Sequence, residues 1–92
     1  MTIEKSVVIK NKQGLHARPA ALFVQIANKY TSDITIQKGR QKVNGKSIMG
    51  IMMLEAGAGS KIVITISGED AADAMGELQN LLESEGIEEN AL

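Results

Sequence analysis

The sole histidine of this chain, His16, lies in the run Gly14-Leu15-His16-Ala17-Arg18-Pro19. Gly14 permits backbone conformations closed to other residues. Pro19 is tolerated in the first turn of a helix, where no amide hydrogen is needed. The spacing therefore predicts a helix that begins near His16 behind a sharp turn. The free amides of a first turn sit at the partially positive end of the helix and form a ready anion site. That end disfavours a further cation, so the imidazole is expected neutral, with a ring nitrogen free to attack. A phosphoryl group taken up by that nitrogen would meet the backbone at Ala17 and Arg18. The Arg18 guanidinium can hold two of its oxygens in a fork.

The chain has no second histidine, and no carboxylate stands near His16 in sequence to serve as its base. A self-contained hydrolase is thereby disfavoured. The segment reads as a phosphoryl acceptor that depends on a partner protein and is not a stand-alone enzyme. A histidine beside an arginine is more often plain surface or capping chemistry, so these two residues alone do not decide the matter.

A second group surrounds Ser47, which precedes Ile48-Met49-Gly50-Ile51-Met52-Met53-Leu54. Serine before an apolar run reads as a helix N-cap. Ile48, Ile51 and Leu54 are expected to face inward. Methionine adapts to differently shaped partners. Met49 and Met52, with Ile48, Ala21 and Leu22, are expected to form an apolar docking patch near His16, and Met53 is expected to be buried.

The elements that would carry these groups follow from apolar spacing. Residues 2–10 read as a strand with Ile3, Val7 and Ile9 on one side, and residues 11–14 as a loop. A helix over residues 16–28 has the stripe Ala20, Phe23, Val24 and Ala27, with Leu22 and Ile26 outside it. Ile34 and Ile36 mark a second strand, Lys38-Gly39-Arg40 a hairpin turn, and residues 41–43 a third strand. The short helix over 48–54 ends at Gly57-Ala58-Gly59, and a fourth strand over 61–67 points Ile62, Ile64 and Ile66 inward. Asp70 reads as the N-cap of a last helix, with Asp73 in its first turn and the stripe Ala71, Ala74, Met75, Leu78, Leu81 and Leu82. Gly86 reads as its stop, and residues 85–92 as a frayed acidic end. The order βαββαβα in one short chain predicts an α+β domain over residues 1–92, with the helices on one face of a single sheet.

Composition removes several classes of function. At 43% hydrophobic and 23% charged residues the chain is of ordinary globular type. Phe23 and Tyr30 are its only aromatic residues, so the core must be aliphatic, and the scarcity argues against base stacking on aromatic platforms. A net charge of −1 argues against nucleic acid or anionic membrane as partners. Lys38, Arg40, Lys42 and Lys46 make a loose basic cluster, read as a solvated hairpin that can steer an acidic partner. Without cysteine there is no disulfide framework, thiolate zinc site or redox thiol. No cofactor and no metal are expected. The first residues lack a signal-peptide pattern, and no apolar run approaches the ~20 residues of a membrane span. A cytoplasmic monomer is expected.

Gly14-Leu15-His16-Ala17-Arg18-Pro19-Ala20 resembles the phosphohistidine motif of the HPr family, and Val43-Asn44-Gly45-Lys46-Ser47-Ile48-Met49-Gly50 resembles its second hallmark. The two stand in order, and the resemblance covers nearly the whole chain. It implies an open-faced β-sandwich, a four-stranded antiparallel sheet covered on one side by three helices. It implies that His16 is phosphorylated at Nδ1 by enzyme I, itself charged from phosphoenolpyruvate, and passes the group to a histidine of an enzyme IIA domain. Arg18 would steady the phosphate. Ser47 matches the serine that an HPr kinase/phosphorylase modifies in many bacteria, which reduces transfer from enzyme I. The acidic end and the Met52-Met53 pair also resemble the nitrogen-related branch of the family, whose members regulate by docking and answer to a different enzyme I.

Overall fold

Three isoleucines spaced two apart, Ile62, Ile64 and Ile66, give the strand Lys61–Ser67 one fully buried face. In the computed structural model, which describes residues 1–84, this strand is β4, an inner strand of a four-stranded antiparallel sheet. Strand β1 (Thr2–Val8) pairs with one side of it and β2 (Asp33–Lys38) with the other. Strand β3 (Gln41–Asn44) completes the order β1-β4-β2-β3. The register sets Ile66 beside Ile3 and Ile34, and Ile62 beside Val7, so one sheet face is a continuous aliphatic surface. Gly39, in the left-handed region at φ 61, and Arg40 link β2 to β3, with Lys38 opposite Gln41.

Three helices cover that face: α1 (Ala17–Ala27), α2 (Ile48–Met53) and α3 (Ala71–Glu83). Helix α3 lies over β1 and β4, α1 packs between α3 and α2, and α2 reaches β3. Phe23, Ile36, Ile51, Ile64, Leu78 and Leu82 are among the fully buried side chains of one cluster. Each such side chain contributes about 1.5–3 kcal/mol of burial. Among the described residues no helix is long and apolar enough to cross a membrane.

Several expectations need correction. The first strand ends at Val8, although Ile9 still donates to the Ser60 carbonyl (2.9 Å) and accepts from the Gly59 amide (2.7 Å). Lys10 then turns its amide to the Leu82 carbonyl at the end of α3, 2.9 Å away. Ile26, placed outside the core stripe, packs against the core. It lies two turns beyond the buried Pro19 on a helix flanked on two sides, so the buried arc is wider than a sheet-facing stripe. Ile48, expected inward, is 42% exposed. A six-residue helix turns so little of itself to the sheet that only Ile51 and the following Leu54 are buried. Asp70 holds the N-cap position of α3 but makes no side-chain cap bond. Its carboxylate instead accepts from the amides and hydroxyls of Thr31 and Ser32. The stop at Gly86 and the acidic end lie outside the described residues.

Candidate functional site

The His16 segment is held from below before it reaches solvent. The Asn11 side chain accepts from the Gln13 amide (3.0 Å), its carbonyl accepts from the Gly14 amide (3.3 Å), and Gly14 takes φ 68. Leu15 is wholly buried, and its amide donates to the Ala56 carbonyl at 2.8 Å. The next side chain must therefore point away from the core, and His16 is exposed. It occupies the N-cap position of α1 with extended backbone (φ −124, ψ 160) and makes no side-chain cap bond. The imidazole is not spent on closing its own helix.

Ala17 is the unusual residue. At φ 46 it sits in the left-handed region, which costs a residue with a Cβ about 1–2 kcal/mol. The strain falls between His16 and Arg18, and the bond from the Ala20 amide to the His16 carbonyl is stretched to 3.5 Å. By position the first-turn amides of Ala17 and Arg18 have no intrahelical acceptor, and Pro19 has no amide hydrogen to leave orphaned. Arg18 is half-buried and enters no ion pair among the described residues, where Lys29–Glu77 is the one salt bridge. An exposed imidazole, two first-turn amides and a free guanidinium thus lie within three consecutive residues. No cluster of metal-ligating side chains occurs among the described residues.

Ser47 is the N-cap of α2: its hydroxyl accepts from the Gly50 amide at 3.1 Å. The loop before it is fixed by Asn44, which accepts from the amides of Lys46 and Ser47. It is fixed also by Gly45, whose amide donates to the Ile34 carbonyl at 2.8 Å. Met49 is 72% exposed, Met52 43% and Met53 62%. Met53, expected to be buried, therefore belongs with the outward group, because Ile51 and Leu54 already fill the inner side of so short a helix. Ala21 and Leu22 are half-buried on α1, which packs against α2.

The basic cluster is not uniformly solvated. Arg40 and Lys42 are exposed, but the Lys46 ammonium donates to the Tyr30 carbonyl (2.7 Å), and that of Lys38 donates to the carbonyls of Glu55 (3.0 Å) and Leu54 (3.3 Å). Lysine commonly binds helix-end carbonyls, yet the helix end here is far from Lys38 in sequence, so no local spacing could reveal the contact. Away from the site, the hydroxyl of Tyr30 donates to Glu77, which also pairs with Lys29. That acceptor pushes the Tyr30 phenol up to about 12, while the Lys29 ammonium and the phenol hold the Glu77 carboxyl below its usual range.

Known proteins share this fold and much of this sequence. The family model described as the PTS HPr component phosphorylation site matches residues 3–84. The HPr-like protein Crh of Halalkalibacterium halodurans is 53% identical over 83 residues, 90% of this chain and 99% of that one. A crystal structure of the phosphocarrier protein HPr from Bacillus anthracis superposes with a TM-score of 0.86 at 51% identity, covering 88% of this chain and 96% of that one. A Bacillus subtilis Crh structure, described as a catabolite repression protein in a swapped dimer, matches at 42% identity with a TM-score of 0.71, over 94% and 99% of the two chains. With its matching sheet, helices and sequence, the chain belongs to the HPr family.

Proposed function

We propose that this protein is a phosphoryl carrier of the phosphoenolpyruvate-dependent phosphotransferase system, working in the cytoplasm and serving sugar uptake. Nδ1 of His16 attacks the phosphorus carried by enzyme I. The bond from phosphorus to enzyme I breaks as the bond to Nδ1 forms. An enzyme IIA histidine later takes the group by the same exchange. The observation that carries this reading is the exposed His16, uncommitted to capping, beside the strained Ala17 and the unpaired Arg18. Arg18 and the first-turn amides balance the charge of the phosphoryl oxygens. Ile48, Met49, Met52, Ala21 and Leu22 form the docking surface, which Met53 extends.

The test is direct. Incubation with phosphoenolpyruvate and enzyme I is expected to add one acid-labile phosphate to the protein and none to His16→Ala. Equal labelling of the two would refute the assignment.

A second reading is favoured by the relatives named Crh and by the catabolite-repression description of one of them. Here the protein regulates carbon catabolism by docking, with Ser47 as its switch. A phosphate on Ser47 would sit at the positive end of α2 beside the docking surface. This favours a carbon-related regulator over the nitrogen-related alternative. Labelling from ATP by an HPr kinase, lost in Ser47→Ala and indifferent to His16→Ala, would support it. The swapped dimer of the Crh relative makes the expected monomer part of the proposal, to be measured by sedimentation.

A further inference from the structure

Helix α2 has only six residues, too few to hold a helical conformation unaided. Its N-terminus is closed by Ser47, but its last turn carries no basic side chain, and its final carbonyls need donors from elsewhere. Glu55, at φ 50, turns the chain out of the helix without a glycine. The donor comes from the sheet. Lys38, the last residue of β2, extends along the helix-covered side, and its ammonium meets the Glu55 and Leu54 carbonyls at 3.0 and 3.3 Å. The next carbonyl in the chain, that of Ala56, receives the Leu15 amide, and Gly14 rests against Ala56 and Gly57. Three successive carbonyls thus serve two clients, the lysine and the segment that presents His16.

We propose that Lys38 is a positioning residue that fixes the docking helix α2 and the His16 segment to one shared support, residues 54–57. Its bearing on phosphoryl transfer rests on the carrier reading above; its bearing on the loop does not. With Lys38 in place, a partner seated on Met49 and Met52 meets His16 at a fixed offset. Without it, the helix end frays and the loop beneath Leu15 loosens, so that the patch and the acceptor no longer keep register.

The experiment uses the full chain with Lys38→Met, which keeps the aliphatic stem and removes the donors, and Lys38→Arg, which keeps donors at the same place. Amide hydrogen exchange by NMR is the first readout. In Lys38→Met the protection of Leu15 is expected to fall about tenfold, the loss of one charge-assisted contact, while the amides of β1 and β4 keep theirs. Lys38→Arg is expected to restore it. The second readout is phosphorylation by enzyme I, where Lys38→Met raises KM and leaves kcat close to that of the parent. An even loss of protection across the sheet, or unchanged protection at Leu15, would overturn the proposal. So would failure of the arginine variant to rescue. Should Lys38→Met not fold, Lys38→Gln, whose side chain is one bond shorter and stops short of the two carbonyls, is expected to show the same loss at Leu15 with β1 and β4 unchanged. If the parent protein takes no phosphate at all, the carrier reading fails, and the exchange pattern still decides whether Lys38 supports the loop.

Discussion

Gly14 lies so close to Ala56 that a Cβ added to it would stand 2.6 Å from the Ala56 carbonyl oxygen and 2.7 Å from the Cα of Gly57. The same glycine adopts φ 68. Two independent costs therefore oppose any side chain there: the left-handed backbone, about 1–2 kcal/mol, and a clash with backbone atoms that cannot swing aside, typically about 1–3 kcal/mol. Gly14→Ala is expected to lower unfolding stability by at least about 2 kcal/mol in urea titration. It should also weaken the Leu15–Ala56 bond and slow phosphorylation of His16. A variant as stable as the parent would show that the turn has another way to reach His16.

The exposed methionines give a prediction of opposite character. Met49 is 72% exposed, so Met49→Ser should change stability by less than about 0.5 kcal/mol. If Met49 belongs to the docking surface proposed above, the same change removes an apolar anchor. Affinity for enzyme I is expected to fall about tenfold, the consequence of losing roughly 1.4 kcal/mol at a contact centre. Calorimetric titration of the two proteins would check it. Unaltered affinity in the Met49→Ser, Met52→Ser double variant would remove α2 from the interface.

These contrasts mark what the amino-acid sequence could and could not disclose. The isoleucines of β4 and the stripe of α3 announce their elements because their spacing matches the element's own period. The turn into α1 was legible for a related reason: glycine permits the left-handed backbone found at Gly14, and proline is tolerated in the first turn of a helix. Ile48 and Met53 misled because a helix of under two turns offers too little surface for periodicity to choose a face. Lys38 and Asp70 were illegible in another way. Each binds backbone groups 16 or more residues away, and such pairings exist only once the chain has folded. Asp70 does stand at the N-cap of α3, but local spacing carries no trace of the Thr31–Ser32 loop that claims its carboxylate.

Asp70 also makes stability depend on pH. The Ser32 hydroxyl, then the Thr31 amide, hold its carboxyl below the ordinary carboxylate range in the folded protein. In the unfolded chain that range is restored, so the unfolded state binds the proton first as pH falls. Its contribution is thus fully present above the ordinary carboxylate value, about pH 4, and is lost as pH falls toward the lower folded value. Asp70→Asn is expected to be less stable than the parent at neutral pH and to lose less stability on acidification. Urea midpoints compared between about pH 6 and pH 3 test this. Parallel pH curves for the two proteins would mean that the carboxylate contributes nothing through its charge.

A gain of stability is available on α3. Gly76 lies within this helix, and a Cβ built on it meets nothing within 4 Å. Its exposed position takes no part in the contacts that hold His16, Ser47 or α2. A glycine inside a helix costs about 0.8–1.0 kcal/mol relative to alanine, because the unfolded chain has more freedom to lose. Gly76→Ala is accordingly expected to stabilise the protein by that amount, a rise in Tm of about 4–8 °C for a domain of this size. Phosphorylation of His16 should be unchanged, since the added methyl group meets nothing within 4 Å. A fall in Tm would mean that α3 needs the backbone freedom of glycine at this point, against a geometry that offers a side chain nothing to collide with.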